Sequence, residues 1–92
     1  MKLIDLIENI ENVDPEAIIF QEDTTNPSSD IILSVVGGED EEIKEERGRK
    51  YYYLIEVFLA KEFVEDWKAS LGYEPSAEET AKRLYEYAIN DA

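Results

Sequence analysis

The chain has 92 residues and a mass of 10.6 kDa, enough for one small domain, and it carries 23 acidic against 9 basic residues, a net charge of −14, with no histidine and no cysteine. Without cysteine there is no disulfide, thiol nucleophile or thiolate-bound zinc, and without histidine Ser-His-Asp and Cys-His catalysis are excluded along with the commonest transition-metal ligand. Charge of this sign also opposes unaided binding to nucleic acid or to an anionic membrane, because both need cations set against phosphate.

Hydrophobic residues at 43%, ten of all residues being Phe, Tyr or Trp, suffice for a core, whereas a disordered acidic chain would be poorer in them. Leu3, Leu6, Ile7, Ile10 and Val13 recur at helical spacing and predict an amphipathic helix over about residues 2–12, ended by Asp14-Pro15. Asp5 and Glu8 interrupt the apolar run that a secretory leader would need, and no uncharged stretch approaches the ~20 residues of a membrane span, so the expected location is cytoplasmic. Residues 17–21 form a brief apolar run of strand length. Residues 24–30 are rich in turn formers, and residues 31–36 are the clearest strand, β-branched in both alternation frames and followed by Gly37-Gly38.

Residues 39–46 place six acids in eight positions and are followed by Arg47, Arg49 and Lys50, a pattern expected for a flexible acidic hairpin loop over about 38–48 in which the cations offset the acids. The segment from Tyr51 onward is aromatic and β-branched, then turns helical at Ala60, Phe63, Val64, Trp67 and Leu71, which predicts a strand over about 50–57 and a helix over about 60–71 capped by Gly72. Ser76 with Glu79 three residues on has the capping-box form, and opens a last helix over about 77–90. The expected fold is one α+β domain. An N-terminal helix precedes a three-stranded antiparallel sheet (about 17–21, 31–36 and 50–57), with the two C-terminal helices packed on one face. The alternative is a mostly α-helical chain with one long helix over 51–71.

Carboxylates are the chemistry available. Glu56, set among apolar residues, is the best candidate for acid/base work, with Glu62 or Asp66 as a second carboxylate; against it, a chain this small rarely holds both a core and an enclosed pocket. No calcium-loop spacing occurs, Gly37-Gly38 lacks the surroundings of a phosphate loop, and no cofactor or specific metal is expected. Tyr51, Tyr52 and Tyr53 beside Arg49 and Lys50 imitate a single-strand nucleic-acid platform, but a half-buried strand paired to an acidic loop explains them better.

The charge is uneven. Residues 1–46 hold 14 acids against Lys2 and Lys44, giving −12, while residues 47–92 hold 9 acids against 7 bases, giving −2. Glu78 with Lys82 and Glu79 with Arg83 have the favourable i,i+4 order in the last helix, whereas Asp5, Glu8, Glu11, Asp14, Glu16, Glu22, Asp23 and the 39–46 run have no comparable local partners. The expectation is a non-enzymatic interaction protein of the inhibitor, immunity or nucleic-acid-mimic kind. It would bind a basic protein surface through Asp5, Glu8, Glu11, Glu39, Asp40, Glu41, Glu42, Glu45 and Glu46. Acidity that only maintains solubility is the plain alternative. A second expectation is an accessory subunit that forms a homodimer, or docks on a larger complex, through a strip of Tyr52, Leu54 and Phe58 on one sheet face or through an edge strand, although plain core packing of that strip under a covering helix is the stronger reading.

Overall fold

The computed structural model describes residues 1–35 and 43–90. In chain order the elements are α1 (Leu3–Glu8), a 3-10 turn (Ile10–Asn12), β1 (Ile18–Gln21), β2 (Ile31–Ser34), β3 (Ile43–Glu46), β4 (Arg49–Glu56), α2 (Val57–Ser70) and α3 (Ala77–Asn90). The strands form one antiparallel sheet in the order β2-β1-β4-β3. The chain is therefore α+β, with four strands where three were expected, and the single helix over 51–71 is excluded because residues 51–56 are strand.

α1 buries Leu3, Leu6 and Ile7 on one stripe, and the Asp5 carboxylate accepts the Lys2 N–H at 2.8 Å, satisfying a backbone donor at the helix entry. Asn9 stops the helix short of its predicted end. Its side-chain amide donates to the Asp5 carbonyl at 3.1 Å while its own N–H donates to Leu6, so the last turn tightens and continues as the 3-10 turn.

Residues 43–46 are strand rather than loop. Arg47 and Gly48 both have positive φ, 53° and 77°, the two-residue turn that matches the twist of a hairpin, and it sets Glu46 opposite Arg49 and Glu45 opposite Lys50. β3 is an outer strand, where charged side chains are tolerated and discourage further pairing. Val36 and the predicted Gly37-Gly38 terminator lie outside the described residues, as does the 38–42 part of the predicted loop.

β1 is central and pairs with β2 and β4. Against β4 its register slips: Ile19 faces Ile55, but Phe20 faces Tyr53, which leaves Leu54 as an extra residue in a β-bulge. The bulge breaks the alternation assumed for residues 51–58. Ile55 joins Ile19 and Leu33 on the helix-covered face, while Tyr53 shares the other face with Phe20, their rings meeting edge to face at 6.3 Å.

β4 becomes α2 without a loop: the Val57 N–H donates to the Ala17 carbonyl at 2.9 Å, and Val57 is already the first helical residue. α2 turns Val57, Ala60 and Val64 into the core, and α3 adds Thr80, Ala81 and Leu84. The expected glycine cap at Gly72 does not form. Instead the Leu71 N–H returns to the Lys68 carbonyl and the Ser70 hydroxyl to the Trp67 carbonyl. Ser76 caps α3 as expected, accepting the Glu79 N–H at 3.0 Å. α3 lies against α1, α2 and β4, and the Tyr85 hydroxyl donates to the Thr24 carbonyl at 2.5 Å, tying the helix to the 22–30 loop.

Leu84 is fully buried where these elements meet. Truncation to alanine is expected to cost about 2–5 kcal/mol, a large part of the roughly 5–15 kcal/mol that holds a domain together; urea unfolding measures it. Arg47→Asn is expected to raise the midpoint in the same assay at moderate salt, because asparagine accepts positive φ more readily than arginine.

Candidate interaction surface

Many acids of the first half have local structural tasks. Asp5 caps α1, Asp14 accepts the Glu16 N–H at 2.9 Å, and Asp23 accepts both the hydroxyl and the N–H of Thr25 at 2.6 and 2.9 Å. Arg49 bridges Glu22 at 3.4 Å and Asp30 at 3.9 Å, and Lys2 pairs with Asp30 at 3.1 Å. The hydrogen bond from Lys2, with its charge, holds the Asp30 carboxyl below the usual range; Thr25 does the same for Asp23 through its hydroxyl and then its N–H. The expectation that Asp5, Asp14, Glu22 and Asp23 lack local partners is thus corrected: the partners arise from a helix cap, from turns and from a contact between β4 and the residue after β1, rather than from i,i+4 pairing.

Of the remaining predicted electrostatic residues, Glu45 and Glu46 stand opposite Lys50 and Arg49 in the β3–β4 register, while the Arg49 guanidinium itself turns to Glu22 and Asp30. Glu39, Asp40, Glu41 and Glu42 lie outside the described residues. Glu8 and Glu11 are exposed on α1 and the 3-10 turn, and Glu16 follows on the turn into β1; among the described residues no cation comes within ion-pair distance of these three.

The predicted apolar strip is not one surface. Tyr52 is 39% exposed and Phe58 44%, but Leu54 is only 5% exposed because the bulge drives it into the core, and Phe58 belongs to the first turn of α2 rather than to the strand. Glu56 sits at the strand-to-helix junction and accepts the Tyr53 hydroxyl at 3.4 Å; it lines none of the hollows described below. The i,i+4 pairs expected in α3 give way to others: Glu79 accepts the Tyr73 hydroxyl at 2.7 Å and Arg83 pairs with Glu86 at 3.5 Å.

Sequence reasoning missed a groove on the outer side of α2 and α3. Small core-facing residues, Val57, Ala60 and Val64, leave the bulkier Leu59, Phe63 and Trp67 half-buried on the flank of α2. Phe63 stacks on Tyr87 of α3, ring centroids 4.3 Å apart, and the Arg83 guanidinium lies 5.9 Å from the Phe63 centroid. Leu59 and Tyr87 line two adjoining hollows, of about 360 and 420 Å3. Glu62, Asp66 and Trp67 border the first, and Tyr53 and Ile89 the second. The legible signal was the spacing of Leu59, Phe63 and Trp67, four residues apart and offset from the core stripe.

Among the described residues no helix is long and apolar enough to cross a membrane, and no group of three Asp or Glu is assembled as a metal site. Compared with protein-family models, with curated proteins and with solved structures, the chain matches none.

Because the Asp23 and Asp30 carboxyls titrate below their unfolded values, their contribution is present near neutral pH and fades as the pH falls below about 4. Denaturation across pH should show Asp30→Asn less stable than the parent at pH 7, with the difference closing in acid. A difference constant down to pH 2 would contradict the assignment. With a net charge of −14, self-repulsion should also make the melting temperature rise with added sodium chloride.

Proposed function

We propose that this chain is a small, non-enzymatic, cytoplasmic interaction protein that binds a basic protein surface, in the manner of an inhibitor, an immunity protein or a nucleic-acid mimic. The observation that carries the proposal is the set of carboxylates left after structural needs are met. Glu8, Glu11 and Glu16 are exposed along the N-terminal segment without a cation partner among the described residues, in the half of the chain that carries −12. Concentrated like charge lowers the stability of the free protein, and a cationic partner relieves it. Field complementarity speeds encounter, while buried aromatic or aliphatic contacts supply most of the affinity.

The test is a titration against the basic protein recovered with the chain from its host and identified by mass spectrometry. Association should slow markedly from low to high salt, and again when Glu8, Glu11 and Glu16 are changed together to Gln, with the acids of 39–42 neutralised in a second variant. Binding indifferent to salt and to both variants would overturn the proposal and leave solubility as the role of the charge.

A further inference from the structure

We propose that the groove on α2 and α3 is the docking site for a basic amphipathic helix of the partner. Its apolar side chains would lie on Leu59, Phe63 and Tyr87, and its Lys or Arg side chains against Trp67 and the neighbouring Glu62 and Asp66. This rests on the interaction role proposed above and assigns it a surface that the charge split along the chain does not indicate.

Three observations converge on one occupant. Glu62 and Asp66 stand four residues apart on α2, both exposed, and among the described residues neither is within ion-pair distance of a cation. Like charges at that spacing repel and destabilise the free helix, and cations at the same spacing on a partner helix cancel the repulsion. Next, the aromatic surface beside them is of the kind that takes cations. Arg83 already lies over Phe63, and Phe63 is also occupied by Tyr87, so of the three groove rings Phe63, Trp67 and Tyr87, Trp67 is the one with neither a ring nor a cation against it among the described residues.

The third observation is shape. The two hollows are open and share Leu59 and Tyr87; the first is lined by α2 and α3 alone and the second continues past Tyr87 to Thr24 and the end of β4, a long open surface that suits a helix laid on it better than an enclosed small molecule. Leu59, Phe63 and Trp67 are only half-buried, so they hold apolar surface that such a helix would cover.

Trp67 is the chain's one tryptophan, so its emission reports on this groove alone. The full chain is titrated with an amphipathic helical peptide of leucine and lysine, with a leucine–glutamine peptide of the same pattern as control. Trp67 emission should shift and saturate with the lysine peptide at physiological salt, and the control should bind at least roughly tenfold more weakly. Glu62→Gln with Asp66→Asn should weaken the lysine peptide by about tenfold, while the melting temperature of the free protein rises, which separates lost binding from lost folding. Glu8→Gln with Glu11→Gln and Glu16→Gln should leave the Trp67 response in place.

Absence of saturable binding, or equal binding of the control, overturns the groove assignment. So does binding that leaves Trp67 emission unmoved and is lost only when Glu8, Glu11 and Glu16 are neutralised; that outcome keeps the electrostatic role of the chain while removing this site.

Discussion

The junction at Glu56 and Val57 governs the rest of the molecule. A hydrogen bond from the Val57 N–H to the Ala17 carbonyl is at once the last rung between β4 and the β1 side of the sheet and the first step of α2. With no loop between strand and helix, the rotation of α2 about its axis follows from the β1–β4 register and cannot adjust independently. Val57, Ala60 and Val64 therefore meet the sheet, and the larger Leu59, Phe63 and Trp67 are turned to the flank where α3 only partly covers them. Small residues toward the core let the helix approach closely, at the cost of leaving aromatic surface outside. The bulge at Leu54, just upstream, belongs to the same constraint because it sets which residues enter the junction buried.

The acidity acquires a different meaning once positions in space replace counts along the chain. Asp5, Asp14, Asp23, Glu22 and Asp30 are absorbed by caps, turns and contacts with Lys2 and Arg49, so a large part of the first-half excess is structural. Glu8, Glu11 and Glu16 are not. The second half is nearly neutral in number but not in arrangement: Lys68 pairs with Glu74 and Arg83 with Glu86, and Glu62 and Asp66 are left facing an aromatic groove. Surface pairs of this sort contribute little to stability one by one. Their weight is in deciding which carboxylates remain for a partner.

The α+β class, the central strands and the final helix with its Ser76 cap were legible because hydrophobic period and capping chemistry are local properties. What was not legible depended on pairing across the sheet. A bulge has no signature in an alternating aromatic run, so Leu54 read as sharing one strip with Tyr52 and Phe58, whereas it is core and they are exposed. β3 read as loop because its residues are mostly charged, a composition that an outer strand allows and an isolated segment cannot distinguish from solvated coil. Asn9 could have been noted as a residue that competes for backbone groups, yet whether it ends a helix depends on the buried Leu6 and Ile7 that hold the turn before it. Glu62, Asp66 and Trp67 were all visible, the carboxylates as companions of Glu56 and the indole as core; that the three border one hollow follows from α2 and α3 packing together.

Amide hydrogen exchange resolved by residue tests the junction most directly. If the Val57 N–H closes the sheet and opens the helix as described, its exchange should require global unfolding, tracking the buried amides of β1 and responding to denaturant with the slope of the whole domain. Exchange of Val57 as fast as that of the Arg47-Gly48 turn, with β4 and α2 opening independently, would contradict a rigid hand-over from strand to helix.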